Sequence, residues 1–203
     1  MNAPIRRDPE ETRAAILSSA WDLFRELGAR ATIADIAERL GMSSANIYRF
    51  YASKQGLCEA VCANVLSALA ARVREMAAGP GAASDRIRAI MLFLNAAMRE
   101  QMTQEARVHE IVEVAIREHW PPIEAYETAT CEIVAGLVAD GQAAGEFGPG
   151  DPAALGLLAI CACSGIHHPW LIALYADKPN SPPPERIVDF AIRALANPEP
   201  STD

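Results

Sequence analysis

Apolar residues recur along this 203-residue chain at helical spacing, and almost nowhere do they alternate as a half-buried strand requires. The first stripe, Ile16, Leu17, Ala20, Phe24 and Leu27, lies along one side of a helix. Asp8 and Pro9 form its start signal, with Glu10 and Glu11 in the first turn where the helix dipole favours anions, and Gly28 is its stop. A second stripe, Ile33, Ile36, Ala37 and Leu40, opens at Thr32 and Asp35, a capping-box variant with Asp in place of Glu, and closes at Gly41. Ser43 caps a third short helix after a corner of only three residues, Gly41-Met42-Ser43. Helices this short are unstable alone and cannot stack antiparallel across so tight a link. They must cross steeply and pack on the first helix, as a helix-turn-helix.

The rest of the chain continues the helical period. Ser53 opens a long helix from about Lys54 to Ala78, closed by Gly79-Pro80-Gly81. Further patterns run from Ser84 to Met102, with Ile87, Ile90, Met91, Leu94 and Met98 on one stripe, from Glu105 to His119, and from Ile123 to Ala144. A glycine-rich loop, 145–150, leads to Asp151-Pro152 and an apolar helix, and a last helix near 184–196 carries Ile187, Val188, Ala191, Ile192 and Leu195. The tail from Asn197 is expected to be disordered. The pattern predicts an all-α chain with a helix-turn-helix domain over residues 1–56 and a helical bundle over 57–203.

Charge separates the two parts. The formal net charge is −8, but residues 1–56 hold eight basic and seven acidic side chains, so the acid sits in the bundle. Screening within about 8 to 10 Å makes the local balance the one that a polyanion would meet. The segment Pro152 to Ala176 has no Asp, Glu, Lys or Arg, yet its apolar run from Ala153 to Ile166 is short of the roughly 20 residues a membrane span needs. A buried helix, and no membrane partner, is the expectation. No secretory leader pattern is legible, and the five cysteines, odd in number, all fall in helical patterns. Reduced thiols and a cytoplasmic location follow as expectations.

The third helix carries the candidate chemistry. If Ile47 and Tyr51 point inward at i and i+4, then Ala45 and Arg49 point outward, with Asn46 and Tyr48 on the flanks, since each residue turns about 100°. That outward side is small or hydrogen-bonding and contains no acid. An α-helix fits the major groove of B-DNA, where Asn pairs bidentately with adenine and Arg with guanine or a phosphate. The candidate contacts are Ser43, Ser44, Ala45, Asn46, Tyr48 and Arg49. Thr32 and Lys54 each stand at the start of a flanking helix, where free amides, a hydroxyl and an ammonium suit a phosphate. Arg6 and Arg7 form a candidate arm.

These residues resemble a known family. Thr32-Ile33-Ala34-Asp35-Ile36-Ala37, then Gly41-Met42-Ser43, then Ile47-Tyr48-Arg49-Phe50-Tyr51-Ala52-Ser53-Lys54, look like the N-terminal domain of TetR/AcrR transcriptional regulators. Gly145-Glu146-Phe147 followed by Asp151-Pro152 is also similar to the entry into the penultimate helix of many members. Phe50 departs from the histidine common at that position, and Tyr51 from the usual Phe. The resemblance implies a homodimer whose reading helices enter successive major grooves of a palindromic operator, with a C-terminal helical domain that dimerises and binds a small effector.

Within the bundle, Met91, Met98, Trp120 and Tyr126 fill gaps on inward stripes, and the family resemblance makes a ligand cavity there an expectation. His119, on the line Val108, Val112, Ala115, and Cys163 and His167, at the end of the apolar helix, are the polar pocket candidates, because burying such groups is costly unless something satisfies them. Cys161 and Cys163, two apart on a helix, point away from each other and cannot easily share a metal ion, so no metal is expected. The acid of the bundle mildly favours a neutral or cationic effector. Dimerisation is expected through helices about 152–176 and 184–196, since the first is charge-free on every side.

The leading functional reading is a repressor released by a small molecule, with an activator or an effector-independent regulator of the same fold as its alternative. An enzyme on a helical bundle finds no Glu-x-x-His pair, phosphate loop or nucleophile elbow, and no cofactor is called for. An adaptor would leave the exposed side of the third helix without a purpose.

Overall fold

The computed structural model describes residues 8–104, 106–175 and 178–197. Arg6, Arg7 and the tail beyond 197 lie outside these. Every regular element among the described residues is helical. α1 spans Pro9–Leu27, α2 Ile33–Arg39, α3 Ser44–Tyr48, α4 Lys54–Ala77, α5 Ala83–Gln104 and α6 Ala106–Arg117. α7 spans Pro121–Ala143, α8 Pro152–Ala162, α9 Ser164–His167, α10 Pro169–Tyr175 and α11 Pro184–Ala196.

The chain divides into two compact units. The first takes residues 1–66 together with 105–123, and the second takes 67–104 and 124–203. In the first unit, Asp8 accepts the Glu10 N–H at 3.0 Å to open α1, and Ile16, Ala20, Leu23 and Phe24 turn its apolar side into the core. A short 3-10 turn, Gly28–Arg30, follows. Gly28 adopts φ 61°, and a Cβ there would stand 3.3 Å from the Arg107 Cβ, so this turn rests directly on α6. α6 contributes Val108 and Ala115 to the same core, and Trp120 and Ile123 follow from the segment after it. Burying each such side chain contributes about 1.5–3 kcal/mol, which a three-helix head of short helices needs. The apolar stripe of 105–119 thus packs with the N-terminal elements, a partner that periodicity cannot name.

α2 opens with a complete capping box. The Thr32 hydroxyl accepts the Asp35 N–H at 3.2 Å, and the Asp35 carboxylate accepts the Thr32 N–H at 2.8 Å. It closes on Gly41 at φ 64°, with the Met42 N–H on the Ala37 carbonyl at 2.9 Å and the Gly41 N–H on that of Glu38 at 3.0 Å. This pair of bonds around a left-handed residue is a Schellman end, and it makes the corner between α2 and α3.

In the second unit, Val73, Ile87, Ile90, Met91, Val134 and Val138 are among the core residues, with Val188, Ala191 and Leu195 from α11. α5 is capped from far along the chain. The Glu146 carboxylate accepts the N–H groups of Ala83 and Ser84 at 2.9 and 3.0 Å and the Ser84 hydroxyl at 2.7 Å. These bonds hold its carboxyl below the usual range. Phe147 inserts against Gly141, where a Cβ would come within 2.2 Å of the ring. Gly148 N–H donates to Leu195 O at 2.9 Å, tying the loop to the end of α11.

The charge-free stretch 152–176 differs from the single buried helix expected. It is three helices, α8, α9 and α10, within the described residues. Pro169 cannot donate a helical hydrogen bond, and His168 before it takes ψ 123°, outside the helical region. α8 buries Gly156 and Ala159 but leaves Leu157 and Leu158 50% and 64% exposed. Gly156 allows its close crossing with α7, since a Cβ there would lie 3.1 Å from the Ala135 N. α4 is long and apolar enough to cross a bilayer by composition, yet Leu57, Cys58, Val61 and Cys62 belong to one core and Val73 to the other.

Candidate nucleic-acid interface

α3 is five residues long and holds its shape through anchors at both ends. The Ser43 hydroxyl accepts the Asn46 N–H at 3.3 Å, which caps the start. Ile47 is fully buried and Tyr51 nearly so, which fixes the inner side. Arg13 from α1 lies over the Tyr51 and Phe50 rings, 5.4 and 5.9 Å from their centroids, a cation–π contact that clamps the segment after α3. Nothing in the local pattern pairs Arg13 with residues 37 and 38 positions away. Burial pushes the Tyr51 hydroxyl upward in pKa, so the phenol stays neutral inside the head.

With the inner side so fixed, Ala45, Tyr48 and Arg49 are exposed, and Ser44 and Asn46 are half-buried. Tyr48 is 49% exposed, a large aromatic ring left in water. Between Glu38 and Glu59 the sequence has no acid, and its bases are Arg39, Arg49 and Lys54. Arg39 is paired with Glu26 through two hydrogen bonds of 3.1 and 2.6 Å, whereas Arg49 has no ion-pair partner among the described residues. The exposed side of α3 therefore presents one free guanidinium with hydrogen-bonding neighbours and no carboxylate to repel a phosphate.

The flanking candidates are already engaged. The Thr32 hydroxyl donates to Asp35 at 2.7 Å, so a phosphate there competes with a carboxylate for the same proton. Lys54 Nζ donates to the Ala29 carbonyl at 2.6 Å, which ties the first turn of α4 to the 3-10 turn. Its other two N–H bonds are uncommitted.

The bundle candidates are not gathered at one place. α6 ends at Arg117, so its inward stripe stops before His119. His119 is exposed at φ 52°, with its N–H on Ile116 O at 3.2 Å and the Trp120 N–H on Ala115 O at 2.9 Å. It is the left-handed residue of a second Schellman end, a position filled more often by glycine. Trp120 is buried in the first unit and donates its indole N–H to Glu118 at 3.1 Å. Met91 and Cys163 sit in the core of the second unit with Tyr126 packed against it, while Met98 and His167 are half-buried. Burial raises the Cys163 thiol to about 11 and raises the Tyr126 phenol, while it lowers the His167 imidazole, whose Nε2 lies 3.3 Å from Ile160 O. All three groups are held neutral. Asn95, which the apolar stripe of α5 conceals, is buried and donates to the Ile166 carbonyl. Among the described residues no cluster of His, Cys, Asp and Glu is placed to hold a metal.

Comparison with known proteins agrees with this architecture. Residues 16–61 match the bacterial regulatory proteins of the tetR family, and residues 83–188 match the tetracyclin repressor-like C-terminal domain. No curated protein sequence matches. Among solved structures, a TetR/AcrR family transcriptional regulator from Thermobifida fusca is similar over 94% of this chain and all of its own, at 24% identity and a TM-score of 0.63. FadR of Bacillus subtilis, solved with stearoyl-CoA, is 14% identical over 91% of this chain and 97% of its own, with a TM-score of 0.62. A regulator from Saccharomonospora viridis, solved with choline, is 19% identical over 93% and 97%, with a TM-score of 0.63. An N-terminal helix-turn-helix presenting an acid-free side of α3, followed by a bundle matched over more than half the chain, makes this protein a member of the TetR family of transcriptional regulators.

Proposed function

We propose that the chain is a homodimeric repressor that holds a palindromic operator and releases it when a small effector binds. The observation that carries this reading is the side of α3 bearing Ala45, Tyr48 and Arg49, exposed and free of acid while Ile47 and Tyr51 anchor the opposite side. Asn46 and Arg49 supply the groups that read base edges, and Arg49, Lys54 and Thr32 those that hold phosphates. Two-fold pairing is supported by exposed apolar residues on the helices expected to dimerise. Leu157 and Leu158 on α8 and Phe190 on α11 are half to two-thirds exposed, a surface that a second copy removes from water.

Effector release fits the second unit, where Met91, Tyr126, Cys163 and His167 are neutral and apolar or weakly polar. That chemistry suits a neutral, largely apolar compound better than a cation. Two proteins of this fold, solved with stearoyl-CoA and with choline, support small-molecule control as such. α4 runs without a break through both units and is the covalent route between effector and reading helix. A coupling of about 1–3 kcal/mol lowers operator affinity about 5- to 150-fold. Such a regulator works in the cytoplasm, where its free thiols stay reduced.

The test is duplex binding by the full chain. Selection from random duplexes, followed by fluorescence anisotropy at several salt concentrations, should return a palindrome and a steep fall of affinity with salt. An affinity independent of salt, or no enriched palindrome, overturns the reading.

A further inference from the structure

Arg13 lies on α1, yet its guanidinium belongs to the end of α3. The N–H groups of Phe50 and Tyr51 both donate to Ile47 O, at 2.9 and 3.1 Å, so these two residues continue the last turn of the reading helix. The Arg13 Cζ stands 5.9 Å from the centre of the Phe50 ring and 5.4 Å from that of Tyr51. Arg13 is exposed and Phe50 half-buried, whereas Tyr51 is buried. The rings attract its charge through their faces, which leaves the planar fork of N–H donors to meet a second partner. No carboxylate takes that place among the described residues, since Glu10 and Glu11, the acids before it on α1, form no ion pair with it.

The end of α3 is where a duplex offers phosphates. In a helix-turn-helix the first residues of the reading helix meet base edges in the major groove. That groove is about 12 Å wide and about 8.5 Å deep, and α3, five residues long, rises about 7.5 Å, so the chain that leaves it stands at the rim of the groove, among the phosphates. Arg49 and Lys54 flank Phe50 and Tyr51 in the sequence, and no acid occurs from 39 through 58. Phe50 has no hydrogen bond of its own to offer there. Arg13 brings to this point, from 37 positions away, the donor that the local sequence lacks.

We propose that Arg13 is a phosphate contact of the reading head, carried by α1 to the end of α3 and aimed by the rings of Phe50 and Tyr51, with Phe50 as its positioning residue. The inference rests on the proposed duplex binding through α3 and is indifferent to repression, pairing of copies or effector release. A guanidinium already held over two rings loses less freedom when it closes on a phosphate. The stack thus adds to affinity without itself touching DNA.

The full chain is tested by fluorescence anisotropy on a labelled, selected duplex over a range of salt. Arg13→Gln should weaken binding about tenfold and make the slope of log affinity against log salt shallower by about one unit per bound head. Arg13→Lys keeps the charge, so its slope should match the parent and its loss should stay within a few-fold. Phe50→Leu removes the ring and keeps the cation, and it should weaken the parent several-fold while leaving the Arg13→Gln protein almost unchanged. Replacing single phosphates by neutral methylphosphonates should identify one whose loss weakens the parent and not Arg13→Gln. Arg13→Met, with an apolar stem over the rings, is the second neutral variant, and the denaturant midpoint is followed throughout as the check on folding. A salt slope left in place by a folded neutral variant, whatever its midpoint, makes Arg13 purely structural and overturns the proposal. So do equal losses in the Gln and Lys variants, or an undiminished effect of Phe50→Leu in the Arg13→Gln protein. A parent that binds no duplex removes the reading on which the contact rests, whereas a steep salt slope shared by the parent and Arg13→Gln removes Arg13 alone.

Discussion

Lys54 Nζ stands 2.6 Å from the carbonyl oxygen of Ala29, so the first residue of α4 is bonded to the turn that closes α1. The same ammonium is the nearest base to follow Arg49 along the chain. Lys54→Met should remove both roles. Stability should fall by about 1.5 kcal/mol, the low end of the range for a hydrogen bond to a charged group because this one is exposed, read as a shift in denaturant midpoint. The slope of log affinity against log salt should also become shallower by about one unit per bound head.

Arg49 has no structural partner among the described residues, and its loss should be felt by DNA alone. Arg49→Ala should leave the unfolding free energy within about 0.5 kcal/mol of the parent and cost about 1–3 kcal/mol in operator binding. Ala45→Glu, on the same side of α3, should abolish retention while the circular dichroism spectrum stays unchanged. Tight binding by the Glu variant would mean that another surface meets the duplex.

His119 occupies a left-handed position at the end of α6, at φ 52°. His119→Gly should therefore stabilise the chain, by about 1 kcal/mol, because glycine meets no Cβ penalty there. Effector response should be unaltered. A loss of stability or of response on this substitution would return His119 to the list of ligand contacts.

Phe147 lies where a side chain on Gly141 would have to go. Gly141→Ala should cost about 1–3 kcal/mol through overpacking, measured by chemical denaturation. Phe147→Leu should absorb part of that cost, so the double variant should be more stable than the two single losses predict.

Burial keeps the folded pKa of His167 below the ordinary value of 6.5. The folded chain then binds fewer protons than the unfolded chain in mild acid, so the stability tied to this imidazole is present above about pH 6.5 and is lost as pH falls below it. Melting temperature should drop on acidification from neutral pH, and His167→Gln should flatten that drop. Equal slopes in the two proteins would show that His167 is solvated.

Local chemistry was legible in the sequence, and long-range partnership was not. Asp8-Pro9, the Thr32 and Asp35 pair, Ser43 and Asp151-Pro152 all cap the helices they announce, because a cap depends on residues two or three positions apart. The inward turn of Ile47 and the outward turn of Arg49 follow from 3.6-residue geometry in the same way. Glu146 capping α5 from 62 positions away carries no such signature, nor does Arg13 over Tyr51. The stripe on α6 is equally silent about which core receives it, since amphipathicity specifies a buried side and never the neighbour. His119 lies off the inward stripe because α6 ends at Arg117, two residues before it, and no residue type between them announces that end.

The allegiance of α6 has a consequence for anyone building chimeric regulators. Swapping heads between relatives by a single splice near residue 66 leaves Phe24, Ala31 and Leu57 without Val108, Ala115 and Trp120, the cores of donor and recipient being no longer matched. A graft that works has to be cut twice, carrying 106–123 along with the N-terminal segment as one inherited piece.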